Sequence, residues 1–442
     1  MAALCCLGAS PLAQAAESQL PLCEAVAGEQ ATTTDGFRMV AGSDGWLFRD
    51  PTDLFEDYGH TPEGAAGLTA LRDALAARGT TLVVVRLPPR GVVHADQLTS
   101  ALPKAQHDRP ARAAAAYEAH IEWLRKTGVE VVDVAPAMRA LTEPSYYPRD
   151  HHWTTEGATA AATTVAKHIQ GLLGSTPLPA AAFEQREGAS RTVRGALLAR
   201  VEGACGPMPQ VPDQALPGLQ SVPVQGALDA AALFGEASPP EVVVVGDSQV
   251  NRGSRDVFYF VGQLRETLGT EVFNAGIDGG MLFPPLQSYL GSEAFDKHPP
   301  RFVVWVSAAH LKVHHPGQLR QVVPVVKADC SAAAAPQPVA LSLPGTPSQS
   351  ARTSLPTIAT PPALLRFELD DPALLKLRLR LFYEDGTSEA QRIRRNPRVG
   401  LTDPVWLEAL PDRGALQAVQ LVPLDAGRGE VRVQVCAERP AR

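Results

Sequence analysis

Between residues 60 and 310 the apolar positions follow two alternating rhythms. Thr81–Leu87 (TLVVVRL), Val129–Val134, Glu241–Val245 (EVVVV), Glu271–Asn274 and Arg301–Val306 (RFVVWV) are short, nearly continuous apolar runs. Such runs are expected of strands buried on both faces. Between them lie stretches with helical spacing. Thr61-Pro62-Glu63 supplies a cap, a proline at the first helical position and an acid in the first turn, so a helix is predicted to Arg78, with Gly79 ending it. Pro110–Thr127 is a second helix, with Tyr117, Ile121 and Leu124 on one face; Thr155–Leu173 and Arg255–Leu268 are a third and fourth. Strands alternating with helices predict an α/β fold, an α/β/α sandwich on a mostly parallel sheet. Residues 174–240 are poorer in pattern and read as a long excursion over the surface.

After residue 330 the rhythm changes. Residues 331–362 form a low-charge Pro/Ser/Ala stretch that reads as a linker or the entry to a second domain. Leu364–Leu369, Leu374–Tyr383, Ala418–Val422 and Glu430–Val435 then alternate apolar and polar residues, and Glu384-Asp385-Gly386 is a hairpin-turn candidate. Residues 17–330 are therefore expected to form an α/β domain and residues 331–442 an all-β sandwich of antiparallel strands.

Composition narrows the class. The 442 residues are 45% apolar and 20% charged, which excludes fibrous chains and wholesale disorder. The net charge of −7, without long basic runs, argues against nucleic acid as the main partner. From Ala363 onward there are 13 Lys and Arg against 12 Asp and Glu, which leaves −8 on the first 362 residues. Residues 1–16 are a short apolar run ending in Ala13-Gln14-Ala15, and read as the end of a secretory signal peptide whose basic beginning is missing. A disordered Ala-rich tail is the alternative. Export would place the protein in the periplasm. If Cys5 and Cys6 leave with the signal, four cysteines remain, and their spacing favours Cys23 with Cys205 and Cys330 with Cys436, against the alternative of buried free thiols.

Two segments carry candidate chemistry. The apolar run ending at Val245 leads straight into Gly246-Asp247-Ser248, which puts a serine at the C-terminal end of a buried strand, where open α/β sheets bind ligands. Its backbone N–H is a candidate oxyanion donor. Alone, Gly-Asp-Ser is also an ordinary turn. The second segment is Arg149-Asp150-His151-His152-Trp153-Thr154-Thr155. An aspartate two residues before a histidine can fix its tautomer and leave the other ring nitrogen facing a nucleophile. A metal site on Asp150, His151 and His152, or a purely structural helix cap, are the competing readings.

Together the two segments supply nucleophile, base and orienting acid. With Gly42–Arg49 (GSDGWLFR), Leu87-Pro88-Pro89-Arg90-Gly91, Phe273-Asn274-Ala275-Gly276 and Arg301–Val306, the chain resembles the SGNH-hydrolase-like O-acetyltransferases of bacterial exopolysaccharides, the AlgX/AlgJ alginate O-acetyltransferase family and the related cellulose-acetylating type. The resemblance covers roughly residues 35–310. It implies Ser248 as nucleophile, His152 as base and Asp150 as its orienter, with Asp and His preceding Ser. Gly276 or Gly279 would supply a second oxyanion donor; Ser307 and His310 would line the cleft or serve as turn residues. It implies acetyl transfer to a polysaccharide hydroxyl, with no dissociable cofactor and no metal. It also implies a membrane-bound partner that supplies acetyl groups, and other synthesis and export subunits. An esterase of the same fold and a non-catalytic glycan-binding subunit are the alternatives. The C-terminal domain resembles a carbohydrate-binding module, in which Trp406 and Tyr383 would stack on sugar and Arg378, Arg380, Arg394 and Arg395 would meet carboxylates. A solvated sheet face and a core tryptophan are the bland readings of the same residues.

Overall fold

The computed structural model describes residues 20–28, 37–224, 239–331, 335–343, 350–355, 363–400, 403–425 and 429–440. The signal-peptide reading of residues 1–16 lies outside them. In chain order the main elements begin with β1 (Arg38–Ala41), β2 (Leu47–Asp50), α1 (Pro62–Ala76), β3 (Thr81–Leu87), α2 (Arg109–Lys126), β4 (Glu130–Asp133) and α3 (Thr155–Leu172). Next come β5 (Phe183–Val193), α4 (Ala196–Cys205), β6 (Gln214–Pro223), β7 (Val242–Val245), α5 (Phe260–Leu268), β8 (Val272–Asn274), α6 (Pro284–Leu290), β9 (Phe302–Ala308) and α7 (Pro316–Lys327). The remaining strands are β10 (Ala328–Asp329), β11 (Val339–Leu343), β12 (Ala351–Ser354), β13 (Leu364–Leu369), β14 (Lys376–Tyr383), β15 (Ser388–Arg394), β16 (Val405–Glu408), β17 (Leu416–Pro423) and β18 (Gly429–Glu438).

The central sheet has the order β4-β3-β9-β7-β8, and every pairing in it is parallel. Its strands alternate between two cores. Val83, Val85, Val244 and Val304 face α3 and α5, whereas Leu82, Val84, Val243 and Trp305 face α1, α2 and α7. Burial on both faces explains the unbroken valine runs, and the three layers match the expected α/β/α sandwich. The threonine cap of α1 is as expected, with the Thr61 Oγ1 accepting from the Gly64 N–H at 3.0 Å. The helix expected from Arg255 starts later, at Phe260. Asp256 accepts from the Gly262 N–H at 2.7 Å, and Tyr259 takes a left-handed φ of 66°, which breaks the helical path before Phe260.

The described part of the segment read as an excursion, residues 174–224 and 239–240, is more ordered than its composition implies. The strands β5 and β6 pair as an antiparallel hairpin, and between them α4 buries Leu197, Leu198 and Val201 against Met39 and Leu47. Cys205, at the end of α4, is bridged to Cys23.

The C-terminal strands form two antiparallel sheets. One has the order β10-β18-β13-β16 with β11 also on β18; the other has the order β12-β17-β14-β15. They enclose a separate core of Leu365, Phe367, Leu379, Leu381, Leu407 and Val419. The stretch read as a linker or domain entry contributes two strands, β11 and β12, each of which gains a ladder partner at a sheet edge. Glu384-Asp385-Gly386 turns β14 into β15, with Gly386 at φ 80°. The second bridge joins Cys330 to Cys436. Arg320 of α7 crosses to this domain. It binds the Glu389 carboxylate through both terminal nitrogens at 2.7 Å and the Glu408 carbonyl at 2.5 and 2.8 Å.

Candidate active site

Ser248 lies three residues past β7, at the C-terminal end of the parallel sheet. No helix follows at once: Val250 and Asn251 both donate to the Asp247 carbonyl, at 3.1 and 3.2 Å, and close a tight turn. The opposing turn, 147–154, is pinned from three sides. Tyr147 donates to the His152 carbonyl and Thr154 to the Ser145 carbonyl, at 3.1 and 2.9 Å. Thr154 caps α3 through Gly157. The Trp153 indole N–H donates to the Gln249 carbonyl at 2.9 Å, which ties this turn directly to the serine turn. Arg90, from the Leu-Pro-Pro-Arg-Gly strand end, is fully buried and donates to the carbonyls of Leu47, Tyr147 and Pro148 at 2.6, 2.8 and 3.1 Å.

The three expected side chains meet. The His152 Nδ1 is 2.7 Å from the Asp150 Oδ1, and the His152 Nε2 is 2.9 Å from the Ser248 Oγ. Asp150 is fully buried and His152 nearly so. Burial pushes the Asp150 carboxyl up. The hydrogen bond and charge of His152, with the charges of His151 and Arg252, outweigh it and hold the group far below the ordinary range, so it is an anion at neutral pH. An anion there favours the Nδ1–H tautomer and leaves Nε2 to accept from serine. The competing metal reading has some geometric basis, since Asp150, His151 and His152 bring one ligand atom each within 4.8 Å of one another. In this arrangement, however, both ring nitrogens of His152 are already engaged.

Other expected residues fall differently. The Gly276 N–H is engaged by the Asn274 side chain at 3.0 Å, and a Cβ there would lie 2.5 Å from Val250, so Gly276 is a turn and packing residue and not a free oxyanion donor. Gly279, at φ 70°, abuts Arg398 of the C-terminal domain, and its carbonyl accepts from Asn396. The backbone N–H of Ser248 has no partner among the described residues. Ser307 is buried at the end of β9, where its hydroxyl accepts from Arg86. His310 lines a cavity of about 150 Å³ beside the serine turn with Asp247, Gln249, His151 and Arg49.

In the C-terminal domain the expected residues fall in different places. Tyr383 is 2% exposed, donates to Glu389 and accepts from the Leu410 N–H, so it is a core residue and presents no face to a sugar. Trp406 is half-buried in the seam between the domains, against Ala328, Leu364 and Cys436, with the Arg366 guanidinium 5.9 Å from its ring. Arg395 is turned inward, where it donates to the carbonyls of Asp371 and Leu374 at 2.9 and 3.1 Å. Arg378, Arg380 and Arg394 are exposed on the outer face of the β12-β17-β14-β15 sheet.

Sequence reasoning missed several contributors. Arg252 reaches the Asp150 Oδ2 at 3.4 Å, and its guanidinium lies 6.0 Å from the ring centre of Phe258, which itself stacks on His152. Its place four residues after the serine is the one signal that would have found it. Gln214 and the backbone of Ala196 also reach Asp150, from a segment with no legible pattern.

Residues 39–308 match the family described as SGNH hydrolase-like domain, acetyltransferase AlgX. The alginate biosynthesis protein AlgX of Pseudomonas aeruginosa is 34% identical over 333 residues, 74% of this chain and 68% of that protein. The probable alginate O-acetylase AlgJ of the same organism is 27% identical over 290 residues, 60% of this chain and 68% of that protein. The solved structure of Pseudomonas aeruginosa AlgX superposes with a TM-score of 0.80 at 26% identity, across 95% of this chain and 100% of that one. The matched residues take in the Asp150–His152 turn, the Ser248 strand end and the sheet between them, and on that extent the chain belongs to the AlgX family of SGNH hydrolase-like acetyltransferase domains.

Proposed function

We propose that this protein is an exported O-acetyltransferase that acetylates hydroxyls of an alginate-like polyuronate through Ser248, His152 and Asp150. The observation that carries the reading is the unbroken chain of contacts from Asp150 through His152 to Ser248, at 2.7 and 2.9 Å. The Ser248 Oγ attacks the acetyl carbonyl while His152 Nε2 takes its proton and then gives it to the departing donor group. A sugar hydroxyl attacks the acetyl-serine, passing its proton to His152, and the proton returns to the Ser248 Oγ as the ester is released. Asp150 stays anionic throughout and stabilises the transient imidazolium. The Ser248 N–H serves as an oxyanion donor.

The outer face of the β12-β17-β14-β15 sheet supports a polyanionic acceptor. It carries Arg352, Lys376, Arg378, Arg380, Arg392 and Arg394, and Arg378 sits directly opposite Arg392. No carboxylate interrupts these outward positions, and none of the six forms an ion pair with a described residue. Like charges placed opposite each other weaken a sheet, so the arrangement suits an anionic ligand better than stability. The names of the relatives, alginate biosynthesis protein and alginate O-acetylase, favour the same polymer. The two disulfides suit an oxidising periplasm. There acetyl groups would come from a membrane-bound acyltransferase, and the polymer would come from the synthesis and export subunits.

The test is acetyl release from 4-nitrophenyl acetate by the wild type and by Ser248→Ala, followed by mass spectrometry of polymannuronate and cello-oligosaccharides incubated with acetyl donor. Loss of release in Ser248→Ala and acetylated polymannuronate are expected. Equal rates for the two proteins would overturn the catalytic reading, and release without transfer to either polymer would make the protein an esterase.

A further inference from the structure

The Asp150 carboxylate is held by more than its histidine. Its Oδ2 accepts from the Ala196 backbone N–H at 3.2 Å and from the Gln214 Nε2 at 3.3 Å. Ala196 opens α4 and Gln214 opens β6, both far from Asp150 in sequence. The first turn of α4 sits on the aspartate turn itself: the Leu197 and Leu198 N–H groups converge on the Arg149 carbonyl at 3.1 and 3.3 Å. This approach requires glycine at 195, because a Cβ there would lie 2.3 Å from the Arg149 carbonyl oxygen. A helix N-terminus against a buried carboxylate stabilises its charge and fixes its plane.

The segment is built to stay where it is. Arg194 binds the Glu202 carboxylate, Asp213 and the carbonyls of Met208 and Val211, so the two ends of the connection from β5 to β6 are tied beside α4. The far end of α4 is Cys205, bridged to Cys23. The Gln214 side chain is buried, and its Oε1 has no partner among the described residues, which leaves the Asp150 contact as the use of this amide that the structure gives.

We propose that residues 194–214 form a brace that positions the Asp150–His152 pair, with Gln214 as its side-chain positioning residue and the Cys23–Cys205 bridge as its anchor. The proposal rests on the catalytic reading of the triad and assigns a use to the excursion that the triad alone does not. The brace fixes the acceptor of the imidazole Nδ1 proton. Loosening it reduces the fraction of molecules in which His152 Nε2 points at Ser248, without altering where a small ester binds. Misplacement by about 1 Å can cost about 100-fold in rate.

The experiment compares Gln214→Leu, Gly195→Ala and the double variant Cys23→Ser/Cys205→Ser with Cys330→Ser/Cys436→Ser as control, all first checked for folding by circular dichroism. Turnover of 4-nitrophenyl acetate is expected to fall about 10- to 100-fold in the first three, with KM unchanged, and to stay at the wild-type rate in the control. The second readout is the low-field proton resonance of the His152 Nδ1–H, recorded in wild type and Ser248→Ala. It is expected to be sharp in both and broadened or lost in Gln214→Leu. A structural role elsewhere would leave this resonance in place. Wild-type turnover and an intact resonance in Gln214→Leu and Gly195→Ala would overturn the brace while leaving the triad standing. Undiminished turnover in Ser248→Ala would overturn the triad reading, and the resonance would still report separately on whether the brace holds the Asp150–His152 pair.

Discussion

Asp53 and Asp150 show how one side-chain type serves two ends. Asp53 is buried between two guanidiniums, with the Arg49 Nη2 at 2.8 Å and the Arg90 Nη1 at 3.2 Å. Burial pushes its carboxyl up, but the charges of Arg49 and Arg90 and the Arg49 hydrogen bond bring it down to about 2. A folded-state value below the unfolded one, near 3.9, means its contribution is complete above about pH 4 and is lost as pH falls towards about 2. That contribution is on the order of 2 kcal/mol. Melting temperatures taken between pH 5 and pH 2.5 are expected to fall more steeply for the wild type than for Asp53→Asn. The variant starts lower because Arg90 is left buried and unpaired. Equal slopes would refute the assignment. Asp150→Asn, by contrast, is expected to fold and to lose about 10³- to 10⁴-fold in ester turnover, since the amide can present its N–H to the imidazole and favour the wrong tautomer.

At the scale of the element, α3 continues directly from the 147–154 turn that holds Asp150 and His152. A Cβ on Gly157 would lie 2.1 Å from the Ser145 carbonyl oxygen, so Gly157→Ala is expected to lift the first helical turn and cost about 1–3 kcal/mol in urea unfolding. Gly171, near the other end of the same helix, faces open space, and Gly171→Ala is expected to stabilise by about 0.5 kcal/mol. The pair separates glycine kept for contact from glycine kept for nothing the structure shows. Elements of this kind were largely legible in the sequence. The span of β3 was read as it is found, because a strand buried on both faces writes itself as consecutive valines. The start of α5 was not, because Tyr259 adopts a left-handed φ that no spacing rule announces.

At the scale of the molecule, the two domains meet along α7. Arg320 joins that helix to Glu389 and Glu408, and Trp406 fills the seam nearby. Arg320→Ala is expected to leave 4-nitrophenyl acetate turnover unchanged and to lower acetylation of polymannuronate, because the domain that carries the basic sheet face would lose its tie to α7. Parallel loss of both activities would show that the seam supports the α/β domain itself. The charge count anticipated this division only coarsely. The net +1 after Ala363 hides five exposed cations that share one sheet face with Arg352.

The sequence by itself determined the layered α/β architecture, the change to β strands after it, and the three residues of the candidate triad. Each of these is carried by local patterns, a buried valine run or an acid two residues from a base. Only the tertiary structure decided which neighbours of those residues matter. Arg394 and Arg395 are adjacent, yet one faces solvent at the end of β15 and the other, just past the strand, donates to the carbonyls of Asp371 and Leu374. Tyr383 reads as an exposed aromatic until the opposite sheet covers it. Gln214 and Ala196 reach Asp150 from a segment without periodicity, because a hydrogen bond between distant chain positions is fixed by packing and leaves no spacing to read.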